Sequence, residues 1–415
     1  MHPQTIRFID YWLGVPLCAL LTLCRLGWPA RRTTVQKVLF LKFIEQGATV
    51  LAQDAIARAT AWVGRDNVYF CVFESNRAIL DVLDTIPTSN IIVIRDGRLL
   101  ACLADFWKAL RTVRAADIDT TIDMEFFSRA SALFAFLTRA STRVGLHRFT
   151  SEYPYRGDLM THRVQYNPYV HVSTQYALLV EAARHDPSEV PLLKVPLPLA
   201  PVTAPGTRPA ASPTFEPTDA ETRQMRRRLA SGDAVDAPRP LVLLNPNASD
   251  LLPLRKWPEA RFVELGQRIL AQHPAALVVI TGAPAERAGA EAVCQRIGST
   301  RAVSVAGQTT MRELLTLYTI ADVMVTNDSG PAHFAALTPV STVVLFGPET
   351  PRLFGALSPS TVVIWKELAC SPCVSVFNHR FSPCRDNLCM QAITVDEVYA
   401  AVASLLAVPR AVTRS

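Results

Sequence analysis

Short apolar runs alternate with longer stretches of helical period along most of the chain. VLFLKF (38–43), NVYFCVF (67–73), NIIVIR (90–95) and IDTTIDM (118–124) read as strands, with helices over about Thr49 to Val63 and Leu99 to Ala115. From Pro187 to Pro240 the rhythm stops in a proline-rich, aperiodic stretch that predicts an extended linker. It then resumes with strands in LVLLNP (241–246), LVVITG (277–282), AVSVAG (302–307), VMVTN (323–327) and STVVLFG (341–347). Helical patterns fall between and after them, among them Met311–Ile320 and Val395–Leu406. Apolar runs of this kind between helices are what a parallel sheet covered on both faces requires.

With right-handed crossovers, the pattern predicts an α/β protein of two facing Rossmann-like, doubly wound domains. The expected divisions are an apolar and basic segment 1–35, a first domain 36–186, the linker 187–240, a second domain 241–407 and a tail 408–415. Within the first segment, Tyr11–Cys24 is a run of 14 residues without a charge, flanked by Arg7, Asp10, Arg25, Arg31 and Arg32. A spanning helix needs ~20 apolar residues, and lengthening this run brings in charges. No small-residue cleavage site of a signal peptide follows, and Gly14 and Pro16 are expected to interrupt a regular helix. Two readings stand side by side: a helix packed on the domain behind it, or a monotopic anchor on a membrane surface.

Length and composition narrow the field. With 415 residues, 49% of them hydrophobic, the chain is neither a disulfide mini-protein nor a mainly disordered one. A net charge of +6 suits an anionic substrate or lipid surface, and no nucleic-acid motif accompanies it. The nine cysteines cannot all pair within the chain, which points to a reducing compartment.

Chemistry concentrates in the second half. Asn245-Pro-Asn-Ala-Ser249 leaves a strand and runs through Arg255-Lys256-Trp257-Pro258 into a helix from about Glu259. Lys256 thus precedes a helix N-terminus, where a cation and unpaired N–H groups together hold phosphate. The strand VMVTN ends in Asp328-Ser329-Gly330-Pro331-Ala332-His333. Gly330 lets a backbone approach a ligand, Pro331 suits a first helical position, and Ser329 is a candidate N-cap or phosphate donor. Thr281, Gly282 and Gly347 end neighbouring strands, as turn residues or as part of a nucleotide pocket. A dehydrogenase is disfavoured because no G-x-G-x-x-G loop follows Val38–Phe43.

Taken together, IDMEFFSRASALFAFLTRASTRVGLHR (122–148), NPNASDLLPLRKWPEARFVEL (245–265), VVITGAPAER (278–287), VAGQTTMRELLTLYTIADVMVTNDSGPAH (305–333) and VLFGPETP (344–351) resemble the heptosyltransferase family of lipopolysaccharide synthesis, glycosyltransferase family 9. The resemblance covers nearly all of 36–407. It implies a GT-B fold, with acceptor mainly on the first domain and nucleotide sugar mainly on the second. It also implies inverting transfer, needing no metal, from ADP-heptose to the lipopolysaccharide core of a bacterium. That places the protein in the cytosol, peripheral on the inner membrane, with a lipid-linked oligosaccharide as acceptor. Residue by residue, the donor-phosphate lysine falls on Lys256, and the nucleotide-sugar loop on Asp328, Ser329, Gly330 and His333. Asp328 would repel phosphate and is assigned to ribose, sugar hydroxyl or loop contacts.

The chain departs from the family where the base is expected. An aspartate after a glycine in the first βα loop is replaced, after Gly47, by Ala48, which cannot accept a proton. Glu45 is the preferred replacement, with Asp54 and Glu125 as rivals; the alternatives are altered chemistry, another nucleotide sugar, or a non-catalytic nucleotide-sugar-binding relative. A second peculiarity is Cys370-x2-Cys373 followed by Cys384-x4-Cys389. Four thiolates there could hold one structural zinc, with His379 as an alternative ligand, or the loop simply carries unligated thiols. Arginines 129, 139, 143, 148, 156 and 163 recur through the first half as solvated residues or, in part, as an acceptor groove; Tyr153 and Tyr155 offer rings for sugar stacking.

Overall fold

The computed structural model describes residues 3–26, 34–150, 156–194, 196, 214–230, 240–248, 252–378 and 380–408. The chain divides into two compact units, Met1–Val202 and Thr203–Ser415.

The first unit opens with helix α1 (Pro3–Leu26), followed by β1 (Val38–Leu41), α2 (Gln46–Leu51), α3 (Gln53–Val63), β2 (Val68–Phe73), α4 (Ala78–Leu83), β3 (Ile91–Ile94), α5 (Leu99–Ala115), β4 (Thr120–Asp123), α6 (Arg129–Leu137), β5 (Thr142–His147), β6 (His162–Gln165) and α7 (Val172–Ala182). The strands form one parallel sheet in the order β3-β2-β1-β4-β5-β6. β1 is buried throughout, as its unbroken apolar sequence requires.

The second unit contains α8 (Asp219–Leu229), β7 (Leu241–Asn245), α9 (Glu259–Gln272), β8 (Leu277–Ile280), α10 (Arg287–Ile297), β9 (Ala302–Ser304), α11 (Met311–Ile320), β10 (Val323–Asn327), α12 (Gly330–Ala335), β11 (Ser341–Phe346), α13 (Pro351–Phe354), β12 (Thr361–Trp365), α14 (Leu388–Gln391) and α15 (Val395–Ala407). Its sheet is also parallel, in the order β12-β11-β10-β7-β8-β9. Val242, Leu244, Val325, Val343 and Leu345 of its central strands meet Phe262, Leu265 and Ile269 of α9 and Val398 and Val402 of α15 in one core.

In both sheets the strand order reverses beside the first strand: between β1 and β4 in one, between β7 and β10 in the other. The carboxyl ends of strands at such a reversal leave a crevice, because the two following connections depart in opposite directions. Polar residues occupy those ends. Lys42 follows β1, Asp123 closes β4, Asn245 closes β7 and Asn327 closes β10.

Three expectations change. The stretch 187–240 is not wholly an extended linker, because it holds α8. Thr218 and Glu221 form a reciprocal capping box at its start, and Met225 and Leu229 are buried. The helix lies against α11, with Arg312 Nη2 donating to Glu221 Oε2 at 3.0 Å. Pro16 does not interrupt α1, which runs continuously through it and Gly14. The helix predicted over Thr49–Val63 is divided into α2 and α3 at Ala52.

Candidate functional site

The second unit builds its site from neutral amides that close on the backbone around Lys256. Asn245 donates from Nδ2 to Thr281 Oγ1 at 3.0 Å, and Asn247 Nδ2 donates to the Thr281 carbonyl at 3.1 Å. Asn327 donates to the carbonyls of Pro246 and Asn247, both at 3.1 Å, while its Oδ1 accepts the Trp257 N–H at 3.0 Å. From the far side, Asn387 Nδ2 donates to the carbonyls of Leu254 at 3.1 Å and Lys256 at 3.0 Å. Trp257, buried, anchors the segment by donating from its indole to the Ile393 carbonyl at 3.0 Å. Lys256 is therefore fixed at its own carbonyl and at the next residue's N–H.

Beside it lies a buried cluster of charge. Arg255 Nη1 stands 3.7 Å from Asp328 Oδ2 and 3.9 Å from Glu349 Oε2. Arg380 Nε approaches Glu349 Oε1 at 3.7 Å. Burial raises both carboxyl groups above the ordinary range, and their proximity to each other adds to the shift at Glu349; Arg255 works against it. Burial also lowers Arg380 to about 10. Two arginines thus lie against two buried carboxyls that burial biases toward the neutral form. Ser329 holds the N-cap position of α12, but its hydroxyl donates to the Asn327 carbonyl at 3.2 Å and does not cap the helix. His333 is buried on the same short helix.

The first unit builds its loop from charges instead. Lys42, fully buried, donates from Nζ to Glu125 Oε2 at 3.0 Å and Glu45 Oε2 at 3.2 Å. Glu125 Oε1 accepts the N–H groups of Phe43 at 2.7 Å and Ile44 at 3.2 Å, so this carboxylate holds the loop's backbone. Asp123 accepts from Glu125 N at 3.0 Å and from Ser131 Oγ at 2.8 Å. Its burial pushes the carboxyl up to about 7, with Arg156 opposing. Glu45 itself is half-buried and sits at φ 71°, ψ 81°, in the left-handed region that a residue with a Cβ rarely adopts. Its carbonyl accepts from the N–H groups of Ala48 and Thr49, which starts α2 and aims its side chain beside Lys42.

A family model described as glycosyltransferase family 9 (heptosyltransferase) matches residues 106–380, more than half of the chain. The chain belongs to glycosyltransferase family 9. Lipooligosaccharide heptosyltransferase 2 of Haemophilus influenzae is 26% identical over 148 residues, which cover 35% of this chain and 42% of that protein. Its counterpart in Campylobacter jejuni serotype O:2 is 25% identical over 169 residues, 39% and 50% of the two chains. The chain thus spans half or less of the length of these relatives. The solved structure of E. coli ADP-heptose lps heptosyltransferase II matches with a TM-score of 0.66 at 18% identity, over 89% of this chain and 98% of that one. The family 9 glycosyltransferase of Veillonella parvula matches with a TM-score of 0.64 at 15% identity, over 91% and 99%. The fold is accordingly the GT-B fold of heptosyltransferase structures.

For this family 9 enzyme the structure sorts the residues named from sequence. Lys256 lies in the connection after β7, Asp328 and Ser329 in the turn after β10, and Gly330 and His333 on the first turn of α12 that follows it. Glu45 and Glu125 share Lys42, whereas Asp54 pairs with Arg58 one turn along α3, at 2.9 Å. Gly347 serves packing: a Cβ there would stand 2.4 Å from Met390 Sδ. Of the six arginines, three are buried, Arg139 is exposed, and Arg148 and Arg163 are half-buried. Arg143 is buried and donates to the carbonyls of Leu159 and Ala140, Arg156 is buried beside Asp123 and donates to Leu146, and Arg129 is buried in a pair with Asp10. Arg163 pairs with Asp158, and Arg148 lies over the Phe127 ring. Tyr153, Tyr155 and His379 lie outside the described residues.

The four clustered cysteines are free thiols. Burial lifts Cys389 to about 11, and Cys373, Cys384 and Cys370 are close enough to add to that shift. Among the described residues, however, no group of three or more His, Cys, Asp or Glu is spaced to hold a metal ion. What the loop does provide is support. It carries Asn387, and its Cys373 and Val374 N–H groups both bond the Pro348 carbonyl at 3.0 Å. Sequence reasoning passed over Lys42, Asn327, Asn387 and Glu349; a lysine directly after a buried strand and an asparagine closing one were the available signals.

Proposed function

We propose that this protein transfers a heptose from ADP-heptose to a lipid-linked lipopolysaccharide core acceptor, with inversion and without a catalytic metal, at the cytoplasmic face of a bacterial inner membrane. The observation that carries the reading is the clamping of Lys256 by Asn327 and Asn387 at the strand-order reversal of the second sheet. A diphosphate leaving group gains negative charge as the bond to the anomeric carbon breaks. A lysine already held in place stabilises that charge without reorganising.

In the reaction so written, the acceptor hydroxyl oxygen bonds to the anomeric carbon from the face opposite the diphosphate. ADP departs with the electron pair of the broken bond, and the hydroxyl proton passes to the Glu45 carboxylate. Lys42 holds that carboxylate in position. The cysteine loop has no part in the bond changes.

Titration with ADP-heptose, ADP and a set of UDP- and GDP-sugars, without added metal, tests the reading. Selective binding of ADP-heptose, weakened about 10–100-fold in Lys256→Ala, supports it. Preference for another nucleotide sugar keeps the transferase and removes the heptose. A second reading rests on Ala48: a relative that binds donor but does not turn over, for which donor binding survives Glu45→Gln and no acceptor yields product with either chain.

A further inference from the structure

Helix α1 is turned inside out. Three of its polar side chains face the protein: Asp10 pairs with the buried Arg129, the Thr22 hydroxyl donates to the Cys18 carbonyl at 2.7 Å and accepts Asp158 N–H at 2.9 Å, and Arg25 donates to the Asp158 carbonyl at 2.6 Å. The seat is close-fitting. A Cβ on Gly14 would stand 2.8 Å from Arg129 Cδ, and one on Gly157, which has φ 69°, would stand 2.3 Å from Thr22 Oγ1 and 2.7 Å from the Cys18 carbonyl. The outer flank carries no charge from Tyr11 to Cys24. On it Tyr11, Trp12, Leu13, Leu17, Leu20 and Leu23 are between 46% and 66% exposed.

A surface helix in water has the opposite arrangement, since exposing a continuous apolar stripe forfeits its burial while polar groups consume packing area. Nor is this a spanning segment: no described helix is long and apolar enough to cross a membrane. α5 belongs to the same core cluster as α1, through Phe106 and Leu110 against Phe134 of α6. Its outer flank exposes Leu100, Leu103 and Trp107 beside Lys108 and Arg111, and no acidic residue of α5 is exposed. Apolar and aromatic side chains bordered by positive charge match the acyl boundary of a bilayer with anionic headgroups.

We infer that the outer flank of α1, extended by that of α5, is a docking face for an anionic lipid bilayer, on which α1 lies in the interface without crossing it. The packed helix and the membrane anchor are then two faces of one element. The inference stands apart from the donor chemistry, because none of these residues belongs to the loops around Lys256 or Glu45.

The test uses the full chain with vesicles of phosphatidylethanolamine and phosphatidylglycerol, and with neutral phosphatidylcholine vesicles as comparison. Flotation with the anionic vesicles, weakened by salt, is expected, together with a blue shift of tryptophan emission that is reduced in Trp12→Phe and reduced further in Trp12→Phe/Trp107→Phe. The double variant Leu13→Glu/Leu20→Glu changes two side chains that are more than half exposed, and its thermal midpoint and ADP affinity should match those of the unaltered chain. Its vesicle-bound fraction should fall at least tenfold. Equal binding by that variant, absence of binding by the folded unaltered chain, or an unshifted emission on anionic vesicles overturns the inference. A doubled mass in light scattering that the variant abolishes also overturns it, and assigns the face to a second copy of the chain.

Discussion

The loops after β1 and β7 occupy the same place in two sheets of the same topology, yet they are built from opposite materials. After β7 the backbone is held by asparagine side chains, so the clamp around Lys256 adds no net charge. After β1 it is held by Lys42 and Glu125, with Glu45 as the third charged member. A neutral clamp suits a site that must present a cation to phosphate, because a carboxylate in the clamp would compete with the ligand. A charged clamp suits a site that must present a carboxylate, because the buried lysine orients it. The difference teaches that a shared fold position fixes where chemistry happens, while the sign of the clamp marks which chemistry.

The largest separation between the two loops is expected in turnover. Glu45→Gln keeps the shape and the Lys42 contact but removes the proton acceptor. Product formation should fall about 10²–10⁴-fold while ADP affinity stays within about twofold. Single-turnover rates and calorimetric titration of the same preparation check both halves. A parallel loss of ADP affinity would place Glu45 in the donor site and collapse the distinction.

The neutral clamp is probed by Asn327→Ala, which frees a buried carbonyl, a half-buried carbonyl and a buried N–H at once. The expected cost is about 2–4 kcal/mol in urea unfolding, accompanied by weaker ADP binding, since the Lys256 segment loses its register. Unchanged ADP affinity in a destabilised protein would separate the clamp from the ligand.

These outcomes bear on what the sequence alone makes legible. The positions of β1, β7 and β10 are readable because a strand buried on both faces is mostly apolar, β4 (TTID) is readable from the rhythm around it, and Lys256 and the Asp328–His333 run stand out because their order resembles that of the family. β5, β6 and β12 were not named as strands. β12 is an edge strand of apolar sequence, β6 one of mixed character, and β5 carries Arg143, whose burial depends on the Leu159 carbonyl, distant in sequence. The same cause hid Lys42 and Glu349: pairing with Glu125 and Arg255 exists only in three dimensions. It also made Arg129, Arg143 and Arg156 look solvated.

The charged loop should respond to pH. Because burial raises Asp123 to about 7, the folded state holds this proton more tightly than the unfolded chain does. Its contribution to stability is therefore fully present below the unfolded carboxyl's range and is lost as pH rises toward about 7. Asp123→Asn removes the titration. Between about pH 5 and about pH 8 the variant should lose about 2 kcal/mol less stability than the unaltered protein, measured by urea unfolding at each pH.

The smallest effect isolates the backbone at Glu45. At φ 71° a side chain crowds its own carbonyl, and the cost of holding any non-glycine residue there is about 1 kcal/mol or somewhat more. Glu45→Ala and Glu45→Gly both remove the carboxylate and the Lys42 contact, so their difference reports the backbone and little else. Glycine should be the more stable of the two by about 1 kcal/mol, a reversal of the usual loss when alanine becomes glycine. Both variants should be equally inactive. If alanine proves the more stable, the left-handed turn is not maintained in solution, and the loop after β1 does not hold its carboxylate ready. If glycine wins, the protein carries a strained residue at the one position where the proposed reaction needs a fixed proton acceptor, and function accounts for a strain that packing leaves unexplained.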